Sequence, residues 1–174
     1  MVIFSTFCNR YLGRIYPEKK LVIDREYAAG EKDITFFCKV LIVEEIGDYY
    51  NHAMKKDERI HPLVQQINDY HQKDEARHLA FGREWTAELF RKYSSGWDAA
   101  TLAGFRKWLA EYLASSWTDF YNPAVYKDAG IADPYEVRQV ALRHPACREF
   151  RERASGKLLK YFLQHGFLTE APAL

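Results

Sequence analysis

Hydrophobic positions recur at helical spacing along most of the chain, and no segment alternates as a half-buried strand would. The pattern predicts long helices near residues 33–54, 62–93 and 98–120. In the first of these helices, apolar residues lie on nearly every side, which is typical of a centrally buried helix. The sequence therefore predicts an all-α fold.

Proline and glycine mark the joints between the predicted helices. Pro62 can begin a helix, because the first turn does not need the N–H that proline lacks. The pair Asp133-Pro134 predicts the start of a further helix, with the aspartate as N-cap. A last helix is predicted over 145–165, with Gly166 as its C-cap.

Length and composition indicate one domain, predicted to span residues 1–174. Apolar residues make up 48% of the chain and aromatic residues 16%, which is enough to build a core. Residues 2–12 form a first apolar stretch, and residues 14–30 are interpreted as a connector. No apolar run is long enough to cross a bilayer, so no membrane partner is expected.

Charge and cysteine content narrow the function classes further. Lysine and arginine total 25 and aspartate and glutamate 24, so the net charge of +1 gives no electrostatic reason to expect nucleic acid as a partner. The three cysteines are odd in number and far apart, which argues against a disulfide framework. We therefore expect a cytoplasmic protein.

One stripe of the helix predicted over 62–93 is apolar at both ends and polar in its middle. At about 100° per residue, this stripe contains Val64, Ile67, His71, Glu75, His78, Gly82, Trp85 and Leu89. Burying a bare carboxylate among apolar side chains is costly, and a divalent metal bound by Glu75 and the two imidazoles would offset that cost. Glu75 and His78 also form an E-x-x-H pair, the spacing of di-iron carboxylate bundles.

Other interpretations of this stripe remain open. The three polar residues could form an ordinary buried cluster with Arg77 or Asp74 as partners. The remaining histidines show no ligand spacing with one another, and we expect them in cap, loop or surface positions; they are His52, His61, His144 and His165.

The helix predicted over 33–54 offers a further carboxylate for the same site. Glu44 and Glu45 are adjacent in an otherwise apolar segment and point about 100° apart, so only one can face a shared site. Both could instead be solvated or paired with Lys39 or Arg77. Asp48, one turn beyond Glu44, is a candidate partner for a histidine N–H.

Several runs of residues resemble the p-aminobenzoate N-oxygenase family. The H-x-x-x-E-x-x-H pattern from His71 to His78 is the specific part of the resemblance. From about Asp33 onward the resemblance covers nearly the whole chain, and the other similar runs are 44–48, 61–64, 119–126 and 157–166.

This resemblance implies a ferritin-like helical bundle and a di-iron oxygenase that oxidises arylamines to nitro compounds. It implies two iron ions as cofactor, dioxygen as co-substrate and a small arylamine-like molecule as substrate, and it leaves the electron donor open. Tyr70, Phe81 and Trp85 could line an arylamine pocket, although ordinary core packing is the alternative for each.

The resemblance also assigns site residues by position. Glu75 resembles the bridging glutamate, His78 its partner ligand and His71 an additional histidine of the family. The family's glutamate on the preceding helix lies 27 residues before that histidine; since 71 − 44 = 27, Glu44 matches and Glu45 is the fallback. The ligand set implied is therefore Glu44, His71, Glu75 and His78.

The chain departs from the family in what precedes Glu44. Family members carry a further glutamate and a further E-x-x-H pair on an earlier helix pair, whereas this chain has only Glu18, Glu26 and Glu31 there and no histidine. We therefore expect the C-terminal half of the family fold, incomplete as a monomeric oxygenase. The alternatives are a truncated, non-catalytic metal-binding half-bundle, or a two-fold symmetric di-iron homodimer.

Overall fold

The chain folds into helices joined by short loops in this computed structural model, which describes residues 6, 8–13 and 26–174. In chain order the helices are α1 (Glu31–Met54), α2 (Pro62–Ser94), α3 (Ala99–Asp119), α4 (Pro123–Asp128), α5 (Pro134–Arg143), α6 (Pro145–Ala154) and α7 (Gly156–Gln164). A short π-helical segment, Cys8–Leu12, precedes them. The described residues contain no strand, and the predicted all-α class is confirmed.

The three long helices, α1, α2 and α3, begin and end within two residues of their predicted bounds. The short helix α4 was not predicted from the pattern. Residues 2–5 and 7 of the apolar stretch over 2–12, and residues 14–25 of the connector over 14–30, lie outside the described residues. Within the described ranges, no helix combines the length and hydrophobicity needed to cross a bilayer.

Two of the histidines without ligand spacing begin helices. The Nδ1 atom of His61 accepts a hydrogen bond from the Leu63 backbone N–H at 3.1 Å, and Nδ1 of His144 accepts one from Ala146 at 3.2 Å. Asp133 occupies the predicted N-cap position of α5, but with a left-handed φ of 50° and no capping hydrogen bond from its side chain.

The prediction of a single helix over 145–165 is wrong, because this segment forms two helices, α6 and α7, which meet at Ser155. The Ser155 hydroxyl accepts a hydrogen bond from the indole Nε1 of Trp117 at 2.9 Å, in a buried position. Serine followed by glycine is also a poor pair for continuing a helix. Gly166 has a φ of 76° just after α7, as expected of a residue that ends a helix.

The core lies where α1 packs against α2, α3 and α7. Its aromatic part is built from Phe90, Phe105, Trp117, Phe162 and Phe167, all of them buried. The rings of Phe90 and Phe167 stack with their centroids 4.1 Å apart, so the segment after α7 packs against the C-terminal end of α2. This packing holds α1 and α2 in place with one side of the pair against the core.

Candidate metal centre

The two helices that carry the predicted ligands run antiparallel and in close contact. Gly30, just before α1, lies against the ring of Tyr93 near the end of α2. At the middle of the pair, a Cβ atom added to Gly82 would lie 3.1 Å from Leu41 Cδ2. The absence of a side chain at Gly82 therefore lets the helices approach one turn from the ligand residues.

Glu75 lies at the centre of the polar group between the helices and is only 8% exposed. Its Oε1 atom lies 3.2 Å from Nε2 of His71, one turn earlier on α2. Its Oε2 atom lies 3.0 Å from Nδ1 of His78, at the E-x-x-H spacing. Both imidazoles therefore contact one nearly buried carboxylate, as ligands of a common ion would.

Glu44 is the carboxylate of α1 that reaches this group. Its half-buried carboxyl group is hydrogen-bonded to the side chain of Glu75. Burial raises the pKa of Glu44, and the charge of Glu75 and the hydrogen bond to it raise the pKa further, while His78 opposes them. Two carboxyl groups in contact favour either a shared proton or a bound cation.

The neighbouring Glu45 belongs to a different environment. It is 6% exposed and forms an ion pair with Arg83 of α2. The backbone carbonyl of Arg83 accepts a hydrogen bond from the Tyr161 hydroxyl at 2.6 Å, which ties this pair to α7. Of the two adjacent glutamates, Glu44 therefore lies beside Glu75 and Glu45 does not.

His71 is held from the α1 side by Asn51. The Asn51 amide nitrogen lies 2.8 Å from Nδ1 of His71, and Asn51 is 6% exposed. Asp48, the candidate histidine partner from the sequence, instead accepts a hydrogen bond from Gln72 at 3.0 Å. The role of Asn51 was missed, because an asparagine in a helix carries no metal-site signature in the sequence.

A compact group of ligand atoms includes one residue that the sequence analysis did not propose as a ligand. Asp74, Glu75 and His78 each place a ligand atom within 4.8 Å of the others. Asp74 is exposed and also contacts Arg77 at 3.1 Å. Contact with Glu75 raises the pKa of His78, mainly through their hydrogen bond and then through charge.

The predicted stripe on α2 does not lie wholly on the core side. Glu75, Gly82 and Leu89 are buried, whereas His78 and Trp85 are exposed and the remaining members are half-buried. The physical reason is that α1 covers α2 along the line of the buried residues, so the other edge of the stripe lies beside that contact. The periodicity identified the helix face correctly to within about one residue's rotation.

Exposed apolar residues lie next to the exposed edge of α2, on both α1 and α2. We call the surface formed by Phe36, Val40 and Val43 of α1 and Phe81 and Trp85 of α2 the apolar face. Phe81 and Trp85 stack with ring centroids 6.3 Å apart. These two rings and Tyr70, which is 60% exposed, do not line a closed pocket within the described residues.

The donor set suits a divalent transition metal. Carboxylate and imidazole groups are the ligands that iron, manganese and zinc take in proteins. A cation between Glu44 and Glu75 would relieve the repulsion of two carboxylates in contact. Glu44, His71, Glu75 and His78 are thus brought together, while their assignment as ligands stays a prediction.

Comparison with known proteins identifies the family to which the chain belongs. The model of the p-aminobenzoate N-oxygenase AurF family matches residues 1–166, nearly the whole chain. The chain belongs to this family. Its members are di-iron oxygenases, and the resemblance and the ferritin-like bundle expected from the sequence are confirmed. No curated protein and no solved structure matches the chain.

Proposed function

We propose that the chain is a non-haem di-iron oxygenase that transfers oxygen from dioxygen to the amine nitrogen of an arylamine. Membership of the AurF family supports the reaction class. The observation that carries the proposal is the contact between the carboxyl groups of Glu44 and Glu75, with His71 and His78 on either side of Glu75. Two iron ions are proposed for the complete site.

Each ligand has a stated task in this proposal. Glu75, nearly buried between the helices, would hold the metal together with Glu44, and the two carboxylates would supply negative charge. His71 and His78 would complete the coordination as neutral donors. Iron bound there supplies redox chemistry with dioxygen that amino-acid side chains lack. Asn51 would hold the ring of His71 in a fixed orientation.

The proposal also places the aromatic substrate on the surface of α2 beside the ligands. His78, Phe81 and Trp85 follow one another along one edge of α2, so an aromatic ring stacked on the two exposed rings would lie beside the ligands. The electrons come from an external donor.

The described cysteines are free thiols, which supports a cytoplasmic protein. We also propose that it acts as a homodimer.

The proposal is tested with the purified full chain, reconstituted anaerobically with Fe(II). We expect the chain to retain iron in preference to manganese. With dioxygen and an added chemical reductant as the electron donor, we expect conversion of p-aminobenzoate to N-oxygenated products, detected by chromatography. The variant Glu75→Gln should lose both, because it removes the carboxylate that contacts every other proposed ligand.

The matched control is Glu84→Gln, an exposed glutamate on the same helix. It should retain the iron content and the products of the wild type. The proposal is wrong if the wild type binds iron no better than Glu75→Gln does.

A metal-binding protein without oxygenase activity is the second candidate. The side chain of His78 is 61% exposed in the described chain, which leaves this edge of the site open to water. Reactive oxygen chemistry generally requires a site that excludes water. Stable iron binding with no N-oxygenated product from any arylamine tested would favour this candidate.

A further inference from the structure

Three exposed basic residues follow one another on the outer side of α6 and α7. Arg153, Lys157 and Lys160 are separated by four and three residues, which is the spacing of one helical face. The backbone at Ser155 stays in the right-handed helical region, with a φ of −82°, so this face continues from α6 into α7. We call the three residues the basic stripe.

No acidic residue offsets the charge of the basic stripe nearby in the sequence. Between Arg153 and Leu168 the chain contains no aspartate or glutamate. The nearest carboxylate before the stripe, Glu152, lies 3.9 Å from Arg148 instead. Within the described part of the chain, no member of the stripe forms an ion pair. Three cations facing water without a counter-charge favour an anionic partner.

The inner side of α7 connects the basic stripe to the helices that carry the proposed ligands. Tyr161, next to Lys160 in the sequence, donates a hydrogen bond from its hydroxyl to the backbone carbonyl of Arg83 at 2.6 Å. The Arg83 side chain pairs with Glu45, the covalent neighbour of Glu44. The contacts between the stripe and the metal centre are therefore covalent, hydrogen-bonded and ionic, and electrons tunnel more readily along such contacts than across gaps.

This connection indicates an electron donor as the partner. The oxygenase reaction needs electrons from outside the chain, and a donor must dock where a short route leads to the metal. Redox proteins meet through small, weak interfaces of less than about 1,200 Å². Charge complementarity governs how fast such partners associate. A basic surface of three residues suits a carrier protein with an acidic surface.

Two other anionic partners fit the stripe less well. A membrane-bound helix presents apolar side chains to the bilayer, whereas Leu158, Leu159 and Phe162 of α7 are buried in the core. A nucleic acid is bound through many phosphate contacts, whereas the stripe offers three cations and the whole chain carries a net charge of +1.

We propose that the basic stripe is the docking site of an acidic one-electron carrier protein that reduces the metal centre. The inference rests on the proposed function, because the oxygenase reaction is what consumes the electrons. In each encounter the carrier is oxidised by one electron, and one ferric ion of the site is reduced to the ferrous state. Two encounters reduce both irons, and no covalent bond forms or breaks between the two proteins.

The test uses the iron-loaded full chain and a plant-type ferredoxin, an acidic one-electron carrier, as the probe. Isothermal titration calorimetry measures the Kd of the complex at low and at physiological ionic strength. We expect binding at low ionic strength, with a Kd that rises at least about tenfold when salt shortens the screening length to about 8 Å.

Charge reversal then locates the docking site. Lys157→Glu and Lys160→Glu, tested singly, should each raise the Kd about tenfold at low ionic strength. The matched control is Lys127→Glu, because Lys127 is an exposed lysine on α4 that forms no ion pair among the described residues. Its Kd should stay within about twofold of the wild type. Circular dichroism checks the helix content of every variant.

A kinetic measurement separates docking from the properties of the metal centre. Stopped-flow absorption follows reduction of the ferric site by reduced ferredoxin and, separately, by dithionite, a small reductant that needs no docking surface. Lys157→Glu and Lys160→Glu should slow reduction by ferredoxin and leave reduction by dithionite at the rate of the wild type.

Three results would overturn the inference. The first is no measurable binding of ferredoxin at low ionic strength. The second is a Kd that the two stripe variants raise no more than Lys127→Glu does. The third is tighter binding of the stripe to duplex DNA or to phosphatidylserine vesicles than to ferredoxin, because the stripe would then serve another polyanion.

The outcomes also separate this inference from the proposed function. A wild type that oxidises p-aminobenzoate with dithionite but does not bind ferredoxin overturns the docking site and leaves the oxygenase proposal standing. A chain whose iron is reduced through the stripe but that oxidises no arylamine supports the docking site and counts against the oxygenase.

Discussion

At the residue scale, two adjacent glutamates of α1 have different surroundings. Glu44 contacts Glu75 in the polar group, whereas Glu45 is buried in an ion pair with Arg83. A bound metal would relieve the repulsion between Glu44 and Glu75. Glu45, in contrast, neutralises the charge of Arg83 whether or not a metal is present. Substitution of Glu44 should therefore change mainly the metal affinity, and substitution of Glu45 mainly the stability of the fold.

We predict that Glu45→Gln destabilises the fold by about 2 kcal/mol and leaves Co(II) affinity unchanged, because Arg83 loses its partner. Glu44→Gln should weaken Co(II) binding at least about 100-fold and change the free energy of unfolding by less than about 0.5 kcal/mol. Urea denaturation and titration followed by cobalt absorption measure the two quantities. An exchange of the two phenotypes would show that Glu45 is the ligand.

The orientation of His71 should depend on Asn51. If His71 binds metal through Nε2, its Nδ1 carries the proton and needs an acceptor, which the Asn51 side chain supplies after its amide rotates. We predict that Asn51→Leu lowers Co(II) affinity about 10- to 100-fold. Nitrogen NMR of labelled histidine should show a mixture of His71 tautomers in that variant.

The conservative variant Asn51→Asp provides the control for a merely structural loss. Its carboxylate accepts a hydrogen bond from Nδ1, so metal affinity and a single His71 tautomer should return. Failure of this rescue in a folded variant would count against a positioning role for Asn51.

The sequence predicted these residue types and not all of their partners. The H-x-x-x-E-x-x-H spacing predicted that both histidines lie close to Glu75, because one helix fixes their relative positions, and the structure shows these contacts. Glu45 and Arg83 are 38 residues apart, and Asn51 and His71 are 20 apart. Such pairs depend on how α1 rotates against α2, which periodicity alone does not determine.

At the element scale, the start of α1 depends on a glycine. Gly30 has a φ of 72°, and a Cβ atom there would lie 2.3 Å from the ring of Tyr93. We predict that Gly30→Ala destabilises the protein by at least about 2 kcal/mol, from the left-handed backbone and the clash together. The midpoint of urea denaturation measures the change.

Gly104 supplies the comparison for Gly30. It lies inside α3, and a Cβ atom there meets no heavy atom within 4 Å. Gly104→Ala should stabilise the protein by roughly 0.5–1 kcal/mol through helix propensity. Equal effects of the two substitutions would contradict the geometry at Gly30.

The bounds of the helices were predictable where proline, glycine or capping residues coincide with the limits of the periodic hydrophobic pattern. Pro62 begins α2 as expected, α2 ends at the serines before Gly96, and α3 ends shortly before Asn122. The break at Ser155 was missed because the Ser155-Gly156 pair is a weak signal by itself, and the hydrogen bond that Ser155 accepts comes from Trp117 on another helix. Which edge of α2 is exposed also depends on the placement of α1 and not on α2 itself.

At the scale of the whole molecule, Cys38 reports on closure of the core. It is 0% exposed, and burial raises the pKa of its thiol. We predict that, in a variant with Cys8→Ser and Cys147→Ser, a thiol reagent labels Cys38 at least about a thousandfold more slowly than in the unfolded chain, because labelling requires global opening.

The control is the wild type, in which the half-buried Cys8 and Cys147 should react well before Cys38. Labelling of Cys38 at the rate of an unfolded thiol would show that α1, α3 and α7 do not enclose it. A labelling rate that follows urea concentration with the equilibrium slope would support global opening as the route.

The stacking of Phe167 on Phe90 has a consequence for synthesis on the ribosome. The two rings are 77 residues apart (167 − 90 = 77) and in direct contact. The α1–α2 hairpin emerges long before Phe167 is translated, with the aromatic side that faces the core still open to water. We expect chaperones that hold nascent chains to meet that surface first, and native burial to occur only after Phe167 has left the exit tunnel.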